Sequence, residues 1–278
     1  MKRFGIMLAI MTAVMLFVTE GCSWKDDGKI VETCECYDIL FIGEYALVNA
    51  ADTTGFCSNH YYECISVNYH ENTYGWTWER ILPVDKNDRH TIYAYIHYGR
   101  TPPYPDWPSD DERNTTSTLP IVLEQTASIS IDYDILLSTT SQYGVYFTAA
   151  QFFYTGGNYV HERVRIYIDA TLPPSSVDFQ ARVTIDGKQY DYYMSKDIFL
   201  PANPIYGSST RTIITHYLVP LLPTHTGTAY LLPFLNFLRN EGHSTISEID
   251  YLRLSQEIWG GGVGSTTIRN FSIAISLQ

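Results

Sequence analysis

The sequence has few basic residues and none of the stretches rich in Ala, Glu, Lys and Leu that form long helices. Lys and Arg together number 18, against 30 Asp and Glu, which gives a formal net charge of −12. This balance excludes the basic footprint of a nucleic-acid-binding protein and argues against electrostatic binding to anionic lipid headgroups. Tyr, Val, Ile and Thr are abundant instead, and these residue types predict an all-β fold.

The common catalytic motifs are also missing. The glycine-rich run over residues 260–266 lacks the Lys of a phosphate-binding loop, and a strand rather than a helix is predicted after it. His161 and Glu162 are not followed by a second His, and no Gly-x-Ser-x-Gly sequence occurs. We therefore predict that the protein is not an enzyme and uses no cofactor, with an extracellular hydrolase as the least favoured function.

The N-terminal residues have the pattern of an export signal. A basic pair at positions 2 and 3 precedes the apolar segment Phe4–Val18, and Gly21 and Cys22 follow. This order is typical of a bacterial lipoprotein signal, and the apolar segment is shorter than the ~20 residues that a spanning helix needs. We predict that residues 1–21 are removed and that acyl chains on Cys22 bind the membrane.

The residues after Cys22 indicate a surface location. Lys25, Asp26 and Asp27 resemble the export signal that sends Bacteroidetes lipoproteins to the outer face of the outer membrane. A polar tether over residues 22–32, which only holds the protein away from the headgroups, explains the same pattern equally well. We predict a lipid-anchored outer-membrane protein that faces the cell exterior.

Four further cysteines are predicted to form disulfides, because an exported chain folds in an oxidising compartment. Cys34 and Cys36 lie on one side of the same predicted strand and would form a strained ring. Two sets of pairs remain open, Cys34–Cys57 with Cys36–Cys64, and Cys34–Cys64 with Cys36–Cys57. A zinc site that combines these cysteines with His60 is the alternative, but the spacing lacks a paired Cys-x-x-Cys arrangement.

Short apolar and aromatic segments alternate with turn signals, a rhythm that is typical of β-sandwiches. Six segments are predicted as strands: Tyr37–Ile42, Tyr61–Tyr69, His90–Tyr98, Ala127–Leu137, Val145–Tyr154 and Val164–Ile168. A short helix is predicted within Thr228–Gly242, where leucine and phenylalanine recur at helical spacing, although Ala229–Leu232 also fits a strand. The alternating segment Arg269–Gln278 predicts a half-buried terminal strand.

A hairpin is predicted over Phe179–Met194, with Asp186 and Gly187 in its two-residue turn. This turn sets four facing pairs: Ile185 with Lys188, Val183 with Tyr190, Ala181 with Tyr192, and Phe179 with Met194. The segment Thr155–Asn158 is either another hairpin turn or a joint between two domains. We place a domain boundary there, because residues 33–157 and 158–278 are each of ordinary domain size.

Exposed aromatic side chains are the main candidates for ligand contact. Trp107 and Trp259 stand beside loop signals and are predicted to stack on sugars, whereas Trp76 and Trp78 share a strand face and are predicted to lie in the core. Two acidic groups offer oxygen ligands for calcium, but neither has the spacing of a known loop, and we predict no metal site. They are Asp132 and Asp134, and Asp106, Asp110, Asp111 and Glu112.

The organisation of the chain resembles the fimbrillin-type lipoproteins of Bacteroidales, in particular their anchor and accessory subunits. The resemblance lies in Cys22 with Asp26-Asp27, the lead Cys34-Glu35-Cys36 into Tyr37–Ile42, the segment Asp134–Leu137, and Tyr159–Ile168 at the start of a second half. It implies two tandem Greek-key, transthyretin-like β-sandwich domains. It also implies a non-enzymatic lipoprotein that anchors or joins an adhesive pilus.

The implied partners are the membrane and fimbrial subunits. The alternating strand Phe271–Leu277 has the pattern of a strand that completes a neighbouring subunit's sheet, although closing its own sandwich is the simpler interpretation. The alternative function is a surface glycan-binding lipoprotein that uses Trp107 and Trp259.

Overall fold

The structure is a computed structural model that describes residues 30–35, 38–52, 61–80, 92–100, 114–156, 158–171, 177–199, 210–259 and 262–278. These residues form 17 strands and one short α-helix, α1 (Leu232–Asn240), so the predicted all-β class is confirmed. The strands are β1 (Ile30–Thr33), β2 (Ile39–Ile42), β3 (Tyr45–Asp52), β4 (Tyr61–Asn68), β5 (Thr73–Arg80), β6 (Ile92–Gly99), β7 (Ile121–Val122), β8 (Thr126–Thr139), β9 (Gln142–Thr155), β10 (Asn158–Ala170), β11 (Asp178–Ile185), β12 (Lys188–Phe199), β13 (Thr210–Pro220), β14 (Thr226–Tyr230), β15 (Glu248–Ile249), β16 (Tyr251–Trp259) and β17 (Val263–Leu277).

Two large sheets pack against one another as a sandwich. The six-stranded sheet has the order β1-β4-β5-β17-β8-β14, and the nine-stranded sheet has the order β11-β12-β13-β10-β9-β16-β6-β3-β2. One continuous apolar core lies between them and joins buried residues of both sheets, among them Trp76, Ile131, Phe147 and Leu254. Trp76 and Trp78 are almost fully buried here, which confirms their predicted core position.

The terminal strand follows its predicted alternation. Ile268 and Phe271 are buried while Arg269 and Ser272 are exposed, and a register shift at Arg269 moves the pattern by one residue. β17 pairs with β8 along most of its length and with β5 over Val263–Ile268. It therefore closes its own sheet, the simpler of the two interpretations of this segment.

The predicted hairpin is confirmed near its turn and wrong at its open end. β11 and β12 pair Ile185 with Lys188, Val183 with Tyr190 and Ala181 with Tyr192, as the turn at Asp186-Gly187 requires. A bulge between Phe179 and Ala181 shifts the register, so that Phe179 faces Tyr193 instead of Met194. Turn chemistry sets a register only as far as the first irregularity in the strand.

The helix is confirmed, with Pro233 in its first turn and Gly242 after its end. Gly242 has a φ of 72°, its N–H donates to the carbonyl of Arg239 at 3.0 Å, and the N–H of His243 donates to that of Leu238 at 2.8 Å. These two bonds satisfy the last carbonyl groups in a Schellman arrangement. The described part of the chain contains no helix that is both long and apolar enough to cross a membrane.

The domain boundary predicted between residues 157 and 158 is not supported by the sheet. β9 and β10 are joined as a hairpin at this position and pair from Thr155–Asn158 down to Gly144–Ala170. Strands from both predicted halves alternate across the nine-stranded sheet, where β16 lies between β6 and β9. Tandem sandwiches would require each half to build its own sheets, and the shared sheet corrects that expectation.

Cys34 and Cys64 form a disulfide that links the end of β1 to β4, with a Cα–Cα distance of 4.0 Å. This pair belongs to one of the two predicted sets, and its partner pair Cys36–Cys57 lies outside the described residues, as does Cys22. Glu32 stands close to both sulfur atoms, but the disulfide leaves neither as a thiolate, the form in which cysteine binds zinc.

Candidate functional site on the nine-stranded sheet

The two sides of the nine-stranded sheet differ sharply in chemistry. On β16, Leu252, Leu254 and Ile258 point into the core between the sheets, so the intervening residues point to the opposite side. We call this opposite side the outer face. It carries Tyr95 and His97 on β6, Tyr251, Arg253, Ser255 and Glu257 on β16, Tyr146 on β9, His161, Arg163, Arg165 and Tyr167 on β10, and Tyr217 on β13.

Most of these side chains are buried, although they lie outside the main core. His97, Arg165 and Arg253 have exposed fractions of 0%, 9% and 4%. Rings and guanidinium groups stack on one another here: Arg253 lies 4.1 Å from the centroid of Tyr95, and Arg165 lies 4.6 Å from that of Tyr146. The outer face is thus a packed layer of aromatic and cationic side chains.

Glu257 is held within this layer by two donors. The hydroxyl of Tyr146 donates to its Oε1 at 2.6 Å, and Nη1 of Arg165 donates to the same oxygen at 2.8 Å. Its other oxygen, Oε2, accepts no hydrogen bond from the described residues. Burial alone would lower the pKa of Arg165, but the neighbouring Tyr146 and Glu257 raise that pKa above its usual value, so this arginine stays charged.

A second group of contacts surrounds Tyr251. Nε2 of His161 lies 2.8 Å from the Tyr251 hydroxyl, and Nε of Arg253 donates to Nδ1 of His97 at 3.0 Å. Burial lowers the pKa of His97 and of His161 well below 6.5, and nearby arginines lower both further. Both imidazoles are therefore neutral at physiological pH and act through hydrogen bonds rather than charge.

The carboxylate inventory of the outer face decides which reactions it can support. On β6, β9, β10 and β16, Glu257 is the one carboxylate that the described residues place on this side. The two other acids of these strands point the other way, because Glu162 binds His216 in the interior and Asp169 binds Tyr143 and His225. Glycoside hydrolysis commonly uses two carboxyl groups, about 5–10 Å apart.

The predicted ligand-contact residues are placed unequally. Trp259 ends β16 on the side of the sheet that carries Glu257, and it packs, partly buried, against the cluster of Tyr146, Tyr167 and Tyr217. Trp107 lies outside the described residues. Asp132 and Asp134 lie on the other sheet and bind Thr228 and Arg269, so both have partners within the protein.

The main residues of the outer face were not among the predicted site residues. A signal for them is present in the sequence. His161, Arg163, Arg165 and Tyr167 alternate with apolar or inward-facing residues along β10, and Tyr251, Arg253, Ser255 and Glu257 do the same along β16. Period-two alternation of large polar residues indicates a second functional side of a strand.

No family model and no curated protein matches this sequence. Solved structures do match its fold. A family 12 xyloglucanase from Bacillus licheniformis superimposes with a TM-score of 0.67 at 15% identity and covers 88% of this chain and 100% of its own. Endoglucanase cel12A from Rhodothermus marinus gives a TM-score of 0.64 at 17% identity, with 89% and 100% covered.

A third match is the xyloglucanase domain of NopAA, a type three effector from Sinorhizobium fredii, in complex with cellobiose. It superimposes with a TM-score of 0.60 at 12% identity and covers 88% of this chain and 99% of its own. At these identities the likeness shows the fold. It corrects two expectations, because these matched structures are xyloglucanases and an endoglucanase. A fimbrial anchor is wrong as the function, and the absence of the common catalytic motifs was wrong as a ground for predicting that the protein is not an enzyme.

Proposed function

We propose that the outer face binds a polysaccharide chain. The observation that carries this proposal is the fixed carboxylate of Glu257, held by Tyr146 and Arg165 inside a layer of aromatic side chains. Aromatic rings stack on the apolar faces of sugars, and a few oriented polar groups then select the hydroxyl pattern. The alternative function derived from the sequence, glycan binding, is retained, on a face that carries Trp259, one of the predicted pair.

A β-linked glucan is the first ligand to test. The structures with the same fold are described as xyloglucanases and endoglucanases, and one contains cellobiose. Hydrolysis of the bound chain is the second candidate function. Glu257 favours it because Oε2 remains open to a ligand while Oε1 is held, which is the arrangement of an oriented nucleophile or general acid/base. Hydrolysis of this kind commonly needs a second carboxyl group besides Glu257.

Glu257→Gln is expected to weaken binding of xyloglucan oligosaccharides at least tenfold and to abolish any release of new reducing ends. The amide keeps the shape of the side chain but lacks its charge, so the bond from Arg165 weakens. Isothermal titration calorimetry and a reducing-sugar assay measure the two effects.

Glu124→Gln is the matched control, because this side chain is 75% exposed and pairs with Arg239 of α1, outside the nine-stranded sheet. The control should bind as the parent does. If the parent protein binds no polysaccharide, or if Glu257→Gln binds equally well, the proposed function is wrong.

We further propose that the protein is attached to the outer membrane through acyl chains on Cys22 and faces the cell exterior. Cys22→Ala removes the acylated side chain, so the protein is expected to move from the membrane fraction to the soluble fraction on cell fractionation. Ser23→Ala, next to the acylated residue, is the control and should stay with the membrane. Retention of Cys22→Ala with the membrane would contradict the proposed anchor.

A further inference from the structure

A row of side chains crosses the outer face from Arg165 to the edge of the nine-stranded sheet. Arg165 on β10 lies beside Tyr217 on β13. Tyr217 in turn lies beside Tyr193 on β12, and Tyr193 lies beside Phe179 on β11. Neighbours paired in this way point to the same side of a sheet. Because Arg165 also binds Glu257 at 2.8 Å, the row connects the carboxylate of the proposed site with the edge strand β11.

The side chains of this row are in contact with one another. The guanidinium carbon of Arg165 lies 5.7 Å from the centroid of the Tyr217 ring. Tyr193 packs against the cluster that contains Tyr217, and its ring centroid lies 5.5 Å from that of Phe179, with the two planes at 72°. Exposure increases along the row, because Tyr217 is 8% exposed, Tyr193 is partly buried and Phe179 is 57% exposed. The row is therefore buried near Glu257 and open to solvent at the edge of the sheet.

A β-bulge turns Phe179 toward the outer face. Val183 and Ile185 point to the inner side of β11, and an uninterrupted strand would place Phe179 on that side as well. Gln180 is the extra residue of the bulge, so Phe179 lies beside Tyr193 instead. Bulges re-aim side chains and are frequent next to functional sites. A single exposed ring on a protein surface needs no explanation, but this ring extends a row that begins at the proposed site.

A fixed polar pair stands beside the two rings. Nε of Arg182 donates to Oδ1 of Asp191 at 2.8 Å, and Nη2 donates to Oδ2 at 3.2 Å. Asp191 lies two residues before Tyr193 on the same side of β12, and the charges of both members of the pair act on the pKa of Tyr193, which burial raises. A carboxylate oxygen accepts more than one hydrogen bond, so Asp191 also has the capacity to accept from a ligand hydroxyl group.

We infer that the polysaccharide chain bound at Glu257 continues across the strands to the edge of the sheet, where one of its sugar rings stacks on Phe179 beside Tyr193. The inference rests on the proposed saccharide-binding function of the outer face. Aromatic rings beside an oriented polar group are the elements with which proteins bind the apolar faces and hydroxyl groups of sugars. The ring pair supplies the first element, and Asp191, oriented by Arg182, supplies the second.

The width of the sheet sets the length of chain that this site needs. β16, which carries Glu257, and β11 are five strand spacings apart, about 24 Å at about 4.8 Å per strand. A β-1,4-glucan advances by a similar distance with each sugar unit. A disaccharide at Glu257 therefore does not reach Phe179, whereas a chain of six units reaches both places.

The test compares β-1,4-glucan oligosaccharides of two and six units on the mature protein. Isothermal titration calorimetry is expected to show that the six-unit probe binds about tenfold more tightly or better, because contacts at the two ends of one ligand act together. Phe179→Ala is expected to weaken binding of the six-unit probe about tenfold and binding of the two-unit probe less than about twofold. Phe179→Tyr keeps an aromatic ring and should bind both probes as the parent does.

Phe41→Ala is the matched control. Phe41 is also an exposed phenylalanine, at 45%, and it lies on β2 at the opposite edge of the same sheet. It belongs to the outer face because it pairs with Ala46, which packs against Tyr95. This variant should bind both probes as the parent does. Thermal unfolding of each variant reports whether the fold is retained.

The outcomes separate the inference from the function on which it rests. Binding of the two-unit probe with no gain for the six-unit probe overturns the extended site but leaves saccharide binding intact. An equal loss for both probes in Phe179→Ala overturns the placement of this ring at the far end of the chain. A loss in Phe41→Ala as large as that in Phe179→Ala overturns the assignment to β11, and failure of both probes to bind contradicts the proposed function itself.

Discussion

Replacing Glu162 by Ala is expected to lower the free energy of unfolding by about 1–3 kcal/mol, the cost of leaving a buried donor without its acceptor. Glu162 is 1% exposed and His216 is 0% exposed, and Oε1 of the first lies 3.0 Å from Nε2 of the second. The substitution leaves the buried imidazole without its acceptor and also removes the acceptor of two donors of the exposed Thr245. The imidazole then carries its full desolvation cost.

The size of this effect follows from the number of elements that meet at Glu162. It lies on β10, His216 on β13 and Tyr192 on β12, whose hydroxyl is 3.0 Å from Nδ1 of His216. The backbone N–H and hydroxyl of Thr245, in the segment after α1, donate to the same carboxylate. Removal of one side chain therefore loosens three strands and the segment that follows the helix.

Denaturant unfolding of the parent and of Glu162→Ala measures the loss. Glu124→Ala is the matched control, because its ion pair with Arg239 is exposed and such pairs contribute about 0–1 kcal/mol. Equal losses in the two variants would contradict the structural role of the buried network.

The same carboxylate gives a pH dependence with a defined sign. Burial raises the pKa of Glu162, but hydrogen bonds from His216, Ser244 and Thr245 outweigh that effect, and the pKa in the folded protein lies below its usual 4.5. A lowered pKa stabilises the folded state above the unfolded pKa, and this contribution is lost as the pH falls through the folded value. Glu162→Ala should consequently lose less stability than the parent on acidification below about pH 4.5.

Replacing Glu63 by Met is expected to stabilise the protein, and increasingly so at higher pH. Glu63 lies on β4 on the same side as the fully buried Ile65 and Val67, and its Oε2 has no hydrogen-bond partner. Burial raises its pKa from the usual 4.5 to about 8. Between pH 4.5 and about pH 8, the carboxyl group of Glu63 is ionised in the unfolded chain but stays protonated in the folded protein.

The sign of this linkage is opposite to that of Glu162. A carboxyl group with a raised folded pKa costs stability as the pH rises from about 4.5 to 8, by about 1.4 kcal/mol per pH unit and by about 3–5 kcal/mol in total. Met has a similar volume and no charge, so the variant lacks this loss. The difference in stability between variant and parent should widen through this range and become constant above about pH 8.

Denaturant unfolding at pH 5, 6, 7 and 8 measures this difference directly. Glu79→Met is the control, because Glu79 is exposed on the adjacent strand β5 and stays in water in both states. Parallel stability curves for Glu63→Met and the parent would show that Glu63 is ionised in the folded protein, and would contradict the prediction.

Local chemistry explains the features that were predicted correctly. Asp186 and Gly187 adopt the positive φ values of 49° and 73° that their two-residue turn requires, so the adjacent register follows from the sequence. Pro233 and Gly242 bound the helix for similar reasons. Each of these decisions involves residues that are near one another in the chain and depends little on the rest of the fold.

The candidate site could not be predicted in the same way. Glu257, Tyr146 and Arg165 meet because β16 inserts between β6 and β9, which places residues about 90 to 110 positions apart in the chain in hydrogen-bond contact. The sequence shows that these residues alternate with inward-facing residues along their strands, but it does not show which strands are neighbours in the sheet. The domain boundary was wrong for the same reason, since a turn between strands of one sheet has the same residues as a joint between domains.

The sequence by itself determined an all-β chain with defined turns, a capped short helix, a buried Trp76 and Trp78, and an alternating terminal strand, because these depend on local conformation and on the burial of apolar side chains. Only the tertiary structure decided the core that both large sheets share, the Cys34–Cys64 pair chosen from two open sets, and the meeting of Tyr146 and Arg165 at Glu257. The physical reason is that strand order depends on contacts between distant parts of the chain. The alternation of residues along one strand shows which of its side chains share a face. The order of the strands decides which side chains of neighbouring strands lie beside them on that face.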